Sequence, residues 1–377
     1  MPCHRLAGTA VAFFVASSAA TASADDPPAE QVAITKTADQ DNAADVTIKL
    51  EEQDRHQLDY GGGMSSTDGL FGNLSYTDTN LLGRGERLRF FGQYGARSSA
   101  YQLSFTEPYL FGRMTAGIDL FTNKTSYLTP ANVVGYSEAR RGINMTVSHP
   151  LPRQSRVSLA YAYEAIDTAL FEAGREIESR ISPAFVHDTV DDPSAPRRGR
   201  RITARASIAG GVLGGTTNYV RPEIEAVQYV PHTARTALGL RIGAGWVSTF
   251  GTTQTPPYYA RYFLGGENQI RGVDVRTIGP TDSENRILGG DKFVLFNAEY
   301  YFDIHRRVRL VLFHDAGQAY ANTQTMDLSD LRSSSGVELR VVLPKLNVPL
   351  RLIYGWNTDR DASQPARAFK VAIGWAF

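Results

Sequence analysis

From residue 56 onward, apolar and polar side chains alternate along most of the chain. A period of two, interrupted by Gly, Pro, Asn and Asp, predicts β-strands. Most of these segments are about twice as long as an ordinary globular strand, and this length suits a tilted strand that crosses a bilayer. About sixteen strands are predicted, near residues 56–66, 69–79, 86–97, 98–107, 113–124, 138–149, 155–167, 173–188, 199–209, 216–230, 235–250, 291–303, 306–320, 334–343, 349–357 and 367–377.

The two faces of these strands leave two architectures open. In the last predicted strand, Lys370 lies on one face, opposite an apolar face formed by Phe369, Val371, Ile373, Trp375 and Phe377. A soluble β-sandwich would bury the apolar face, whereas a barrel in lipid turns it outward and lines its lumen with the polar face. Aromatic residues gather at strand ends, and tight turns alternate with long loops, which favours the barrel. We therefore predict an all-β fold, a 16-stranded antiparallel transmembrane β-barrel over residues 53–377.

The N-terminal segment is typical of a secretory signal peptide. His4 and Arg5 precede an apolar run, and the small residues 22–24 match a cleavage pattern, so residues 1–24 are predicted to be removed. The alternative is an N-terminal membrane anchor. Residues 25–52 are predicted to be a short periplasmic linker in which residues 46–53 alternate like a strand, a possible remnant of a periplasmic domain. Export of a barrel implies the bacterial outer membrane.

Composition excludes several function classes. The 39 basic and 39 acidic residues give zero net charge, which removes any electrostatic case for nucleic-acid binding. The sequence has no G-x-S-x-G, H-E-x-x-H or P-loop motif, and its seven histidines lack metal-ligand spacing. The single cysteine, Cys3, lies in the predicted signal, so no disulfide is expected. We predict no enzyme activity, no metal and no cofactor.

Three charged residues stand out. Arg271 lies in the long loop 251–290 between predicted strands 11 and 12, and Glu299 and Asp315 lie on the polar faces of strands 12 and 13. Glycines frame the arginine: Gly265, Gly266 and Gly272. Taken alone, the three charges are equally well explained as unrelated groups that face water in a lumen.

Several segments resemble the BamA/TamA-like outer-membrane assembly and secretion superfamily, the bacterial surface antigen barrel family. "GGENQIRGVD" (265–274) resembles its V/I-R-G-F/Y loop motif, and "FHDAG" (313–317) matches its F-x-D-x-G motif. "NLLGRGERLRFFGQYG" (80–95) and the "PY" segment (105–121) resemble early barrel segments of the family. The resemblance runs from about residue 46 to residue 377, and it is specific because the order and spacing of several motifs match.

The resemblance implies a site inside the barrel. The loop between strands 11 and 12 is expected to fold into the lumen, where Arg271 pairs with Asp315 and Glu299 is the second candidate. The motif also includes Phe313 and Gly317, and Gly272 is expected to allow close backbone approach. At the C-terminus, Lys370, Trp375 and Phe377 fit the family's assembly signal. The pattern departs at Ala372, where glycine is favoured, and at Val273, where an aromatic residue is commoner.

The resemblance also implies a function. The barrel is expected to act in insertion or translocation of proteins, or lipids, through a lateral gate between the first and last strands. Three consecutive glycines, Gly61, Gly62 and Gly63, lie in the first predicted strand and indicate either a bend or a weak gate strand. Expected partners are outer-membrane lipids, nascent outer-membrane or secreted proteins, and periplasmic accessory proteins.

Two other functions stay open at the level of sequence. One is a passive pore or secretion channel plugged by residues 251–290. The other is a structural barrel without insertase activity, because the family's periplasmic domains of about 75 residues receive client proteins, and only a short segment precedes the predicted barrel here.

Overall fold

The structure is a computed structural model that describes residues 31–36, 44–49, 55–65, 69–128, 134–169, 174–343, 348–358 and 365–373. Its strands are β1 (Gln31–Lys36), β2 (Ala44–Lys49), β3 (His56–Ser65), β4 (Gly69–Asp78), β5 (Arg87–Gly95), β6 (Ser98–Leu110), β7 (Met114–Leu128), β8 (Val134–Leu151), β9 (Ser155–Ala169), β10 (Gly174–Asp188), β11 (Gly199–Ala209), β12 (Tyr219–Pro231), β13 (Thr236–Trp246), β14 (Ser248–Thr249), β15 (Lys292–His305), β16 (Val308–Tyr320), β17 (Arg332–Leu343), β18 (Val348–Asn357) and β19 (Arg367–Ile373).

Strands β3 to β19 form one closed antiparallel barrel in which β19 lies beside β3. The two-residue β14 continues β13 beyond Val247, and both pair with β12. Counting β13 and β14 as one strand gives the predicted sixteen, so the predicted fold is confirmed. Strand ends differ from prediction by a few residues; β8, for example, runs from Val134 to Leu151 rather than over 138–149.

The side-chain directions exclude a soluble sandwich. On β19 the Phe369 side chain is 47% exposed whereas Lys370 is 3% exposed, so the apolar face points outward and the charged face inward. Leu58 and Tyr60 on β3 are likewise exposed on the outer surface. An apolar exterior around a polar lumen is the arrangement that a bilayer requires.

One part of the predicted linker is ordered as a hairpin. Residues Gln31–Lys36 form β1, which pairs antiparallel with β2. Three of its residues, Val32, Ile34 and Thr35, are β-branched, which fits a strand. The predicted signal peptide, and the residues Trp375 and Phe377 of the predicted C-terminal signal, lie outside the described residues.

The two rims of the barrel differ. At one rim, short turns such as 152–154, 232–235 and 306–307 join the strands, whereas the longest connection, residues 250–291, lies at the other rim. Short turns face the periplasm in outer-membrane barrels, so the rim with the short turns is the periplasmic one. Three short 3₁₀ helices occur in the described residues, at Gly211–Leu213, Tyr258–Ala260 and Leu328–Asp330. None of these helices is long and apolar enough to span a membrane.

Candidate functional site: the loop inside the lumen

The long loop between β14 and β15 folds into the barrel and has an ordered backbone. Its tip closes on itself where the Gly266 N–H donates to the Val273 carbonyl at 3.1 Å. Leu264 and Ile278 form a β-bridge just below that tip. Gly265 has a φ of 111°, and a Cβ there would lie 2.1 Å from the Asp274 carbonyl oxygen, so only glycine fits this turn.

Apolar packing supports the loop tip. Ile270 and Val273 are fully buried in a cluster that the loop shares with the inner face of β15 and β16, including Leu264, Ile278, Leu295 and Ala319. Gly317 of the F-x-D-x-G motif contributes by its small size, since a Cβ there would lie 3.1 Å from Leu264 Cδ1 and 2.7 Å from the Val294 carbonyl oxygen. The motif favours an aromatic residue at position 273, and here Val273 occupies that position within the buried apolar cluster.

Arg271 lies at the tip and contacts both predicted acids. Its Nε and a terminal nitrogen donate to the two Asp315 oxygens at 2.8 and 2.6 Å, a bidentate pairing. The backbone N–H of Arg271 also donates to Asp315, at 2.9 Å, and the other terminal nitrogen donates to Glu299. The Arg271 Cζ lies 3.9 Å from the centroid of the Phe313 ring.

The charge of this arginine is stabilised by its neighbours. Burial disfavours the charged form of Arg271, which is 2% exposed. Coulombic attraction to Asp315 and Glu299 outweighs that effect and raises the pKa of the guanidinium well above its usual value. Arg271 is therefore positively charged in its buried position inside the lumen.

The site extends beyond the predicted pair. Glu338 on β17 accepts from Arg271 at 2.9 Å, and Arg340 and Arg351 each donate to Glu338 at 2.6 Å. Arg340 also donates to Glu299 at 2.7 Å. Three guanidinium groups thus meet three carboxylates, a balanced set that we call the luminal ion cluster: Arg271, Arg340, Arg351, Glu299, Asp315 and Glu338.

Polar contacts continue to the last strand. Ser334 on β17 donates to the Arg271 carbonyl, and Asn357 on β18 donates to the Gly272 carbonyl at 2.9 Å. Lys370 on β19 donates to the Val273 carbonyl at 2.5 Å. Lys370, predicted as part of a C-terminal signal, thus contacts the loop, which touches every strand from β15 to β19.

Gly272 allows the tip to approach the wall closely. Its φ is 91°, and a Cβ on it would lie 3.0 Å from Asn357 Oδ1 and 3.5 Å from Gly355 Cα. A side chain at Gly272 or at Gly355 would separate the loop backbone from β18. The close approach expected from the motif therefore requires glycine at both positions.

A second arginine anchors the loop on the opposite wall. The Arg276 Cζ lies 3.6 Å from the Phe263 ring centroid and 4.6 Å from that of Tyr127 on β7. Tyr136 on β8 and Tyr258 complete the set, at 5.4 and 5.2 Å. We call Arg276 with these four rings the aromatic cage. In the ring of sixteen strands β8 is eight strands from β17, so the loop spans the lumen.

The predicted gate glycines lie on β3, the strand that closes the barrel against β19. A Cβ on Gly63 would lie 3.5 Å from Ile373 Cδ1 across this seam and 2.9 Å from the Phe71 ring. Gly61 and Gly62 face Asn73 and Gly72 on β4 in the strand register. The structure therefore places the three glycines at the seam, away from the luminal ion cluster.

Sequence reasoning missed several members of the site. Arg340 and Glu338 share the inward parity of β17, and Arg351 lies on the polar face of β18, so alternation marks all three as luminal. The aromatic cage carries no such signal, because Tyr127 and Tyr136 meet Arg276 only through the curvature of the whole barrel.

The barrel is closed, has sixteen strands and an apolar exterior, and is filled by a loop whose arginine binds acidic residues of the wall. These features define an outer-membrane β-barrel with an internal loop anchor. The Omp85 superfamily domain matches residues 80–377, and the chain belongs to this superfamily.

Individual relatives agree with this assignment. The outer membrane protein assembly factor BamA of Nitratidesulfovibrio vulgaris is 27% identical over 353 residues, 89% of this chain and 44% of that protein. The mouse sorting and assembly machinery component 50 homolog is 28% identical over 262 residues, 67% of this chain and 54% of that protein. The fold resembles Haemophilus ducreyi BamA lacking POTRA domains 1–3, with a TM-score of 0.76 at 18% identity, over 91% of this chain and 75% of that chain. The chain spans about half the length of the curated relatives it matches.

Proposed function

We propose that this barrel inserts or translocates proteins at the outer membrane through a lateral gate between β3 and β19, rather than catalysing a chemical step. The supporting observation is the difference between the two sides of the seam. The loop binds the inner face of β15 to β19 through the luminal ion cluster and Lys370, whereas β3 carries Gly61, Gly62 and Gly63. A glycine weakens a strand by about 0.5–1 kcal/mol relative to alanine.

The physical consequence is a seam with one rigid and one deformable edge. Strand β19 is held by the loop inside the lumen, so the backbone edge of β19 that faces β3 keeps its shape when β3 moves away. An unpaired strand edge offers backbone N–H and C=O groups that template another strand. The proposed partners are therefore nascent outer-membrane or secreted proteins, with outer-membrane lipids around the seam and periplasmic accessory proteins to deliver the client. The relatives named as assembly factors support this direction.

A disulfide across the seam tests the gate. Gly63→Cys combined with Ile373→Cys places two thiols on neighbouring strands, and the only native cysteine is Cys3. The readout is the rate at which an unfolded client barrel reaches its heat-resistant folded form in liposomes that contain the purified protein. We expect the oxidised pair to abolish insertion and reduction to restore it.

The matched control is a disulfide one strand away. Tyr354 and Phe369 lie directly opposite each other on β18 and β19, so a cysteine pair there joins strands that the proposal does not require to separate. This control is expected to insert clients at the wild-type rate. Normal insertion by the oxidised seam pair would refute the gate.

A plugged pore is the second candidate, because the loop fills the lumen. The periplasmic end has its own obstruction: the connection 189–198 reaches β16, where Arg309 donates to the Pro196 and Ala195 carbonyls at 3.1 and 3.3 Å. If the barrel is a pore, deletion of residues 251–290 combined with Arg309→Ala raises conductance in planar bilayers far above either change alone. A silent double variant would eliminate this candidate.

A further inference from the structure

A basic cavity lies at the periplasmic rim, outside the lumen. It has a volume of about 700 Å³ and is lined by Arg153, His187, Arg198 and Arg200 together with Gln154, Thr189, Gly199 and residues 228–231. Its lining contains three arginines and no carboxylate. These three arginines are exposed and form no ion pair within the described residues. By contrast, the inward-facing Arg201 on the same strand is paired with Asp188 at 2.7 Å.

An apolar groove continues from this cavity along the lipid-facing surface. The groove has a volume of about 530 Å³ and shares Arg200 and Gln228 with the cavity. Beyond them, and apart from His314 at its far end, its outward lining is apolar, with small residues at Ala226 and Ala298 between larger ones: Ile202, Leu240, Ile242 and Phe296. The two spaces therefore form one site with a cationic end and an apolar length.

The strand register sets the direction of the groove. Arg200, Gln228, Leu240, Ala298 and His314 are successive partners across β11, β12, β13, β15 and β16. The row begins at the second residue of β11, at the rim, and ends in the middle of β16. Four strand spacings make about 19 Å, and a strand tilt of about 40° leaves roughly 12 Å of this along the membrane normal, close to one leaflet of a ~30 Å hydrocarbon core.

We propose that this site binds one anionic glycerophospholipid of the periplasmic leaflet. Its phosphate lies between Arg153, Arg198 and Arg200, and one acyl chain lies in the groove over Ala226 and Ala298. Guanidinium groups pair with phosphate through charge-assisted hydrogen bonds, and an apolar slot at the depth of the acyl region suits hydrocarbon. This phosphate-and-chain pattern distinguishes an amphiphile from a soluble anion or an acidic peptide. The site is separate from the seam, so it stands independently of the proposed gate.

Native mass spectrometry of the purified full-length chain with phosphatidylglycerol tests the headgroup end. Arg198→Ala with Arg200→Ala is expected to weaken binding about a hundredfold, since each charge-assisted contact contributes about one tenfold step. The control is Arg113→Ala with Arg306→Ala, two exposed arginines at the same rim outside the cavity, which should bind normally. Equal loss in both pairs would reduce the effect to general surface charge and overturn the proposal.

The acyl end is tested by filling the groove. Ala298→Phe is expected to lower phosphatidylglycerol binding several-fold, whereas Ala116→Phe, on the outer face of β7, leaves it unchanged. Inorganic phosphate and a water-soluble acidic peptide at millimolar concentration are expected not to displace the lipid. Displacement by phosphate alone would reveal a simple anion site, and displacement by the peptide would reveal a protein-docking site. Either result, or unchanged lipid binding in both groove and arginine variants, contradicts the lipid proposal.

Discussion

The two arginines of the internal loop reach opposite walls and meet opposite chemistry. Arg271 meets carboxylates of β15, β16 and β17, whereas Arg276 meets aromatic rings of β7, β8 and the loop itself. The first anchor is directional, because bidentate hydrogen bonds fix the angle and register of the tip. The second anchor is tolerant, because a cation above a ring face is attracted over a range of positions.

This difference indicates how the loop can hold one wall strictly and the other loosely. Burial disfavours the charge of Arg276, but attraction to Tyr127, Tyr258 and Glu138 raises the pKa of the guanidinium, so it too stays charged. One of its terminal nitrogens is buried without a hydrogen-bond partner in the described part of the chain. The C-terminal wall is therefore the fixed one, and the β7–β8 wall can shift against the loop at lower cost.

Arg271→Ala is expected to have the largest effect. Removal of the cation leaves Asp315, Glu299 and Glu338 with too little positive charge in a buried site, and loss of one partner of a buried ion pair costs about 3–5 kcal/mol. We expect a lower midpoint of heat-modifiability and faster proteolysis within residues 251–290. Asp315→Ala should behave similarly.

Arg286→Ala is the matched control, because Arg286 is in the same loop and pairs with Asp282 at 2.7 Å at an exposed position. Solvent screens such a pair, so this variant should melt and resist protease like wild type. Wild-type behaviour of Arg271→Ala as well would remove the basis for a directional anchor.

Gly265→Ala should rank second, because this turn sets the geometry of the tip that carries both arginines. The new Cβ would meet the Asp274 carbonyl oxygen at 2.1 Å in addition to the strain of a positive φ. We expect a loss of about 2–4 kcal/mol. Gly112→Ala separates the two causes, since Gly112 has a φ of 87° and nothing within 4 Å. Equal losses in urea titrations would show that the clash at Gly265 is relieved by a small shift.

Arg276→Met should have a smaller effect, about 1–2 kcal/mol, because methionine keeps the apolar contact and loses the cation. Arg276→Lys keeps the charge and should recover part of the loss, whereas Arg271→Lys should recover little because an ammonium cannot bind Asp315 through a planar fork. Thermal melts of Arg276→Met and Arg276→Lys, and of Arg271→Ala and Arg271→Lys, test this ranking. Similar recovery by lysine at both positions would show that the two anchors do not differ in directionality.

The predictability of the two anchors from sequence also differs. Alternation predicts the strands, and the motif resemblance implies that Arg271, Glu299 and Asp315 meet inside the barrel. Glu338, Arg340 and Arg351 are visible as inward-facing residues, but their joint contact with Arg271 depends on strand register and tilt, which alternation does not specify. The aromatic cage depends on closure of the barrel, since Tyr127 and Tyr136 lie more than 120 residues before Arg276 in the chain.

The coupling between the anchors should be no larger than the effect of the Arg276 change itself. Both arginines hold one loop, so if Arg271→Ala releases the tip, the contacts of Arg276 are lost in the same event. The Arg271→Ala/Arg276→Met double variant should then be no less stable than Arg271→Ala alone, a deviation from additivity equal to the ~1–2 kcal/mol of the Arg276 single change. A double-mutant cycle measured by urea unfolding gives this quantity directly. Additive losses would mean that each wall holds its own part of the loop, and that the β7–β8 wall stays attached after the C-terminal anchor is broken.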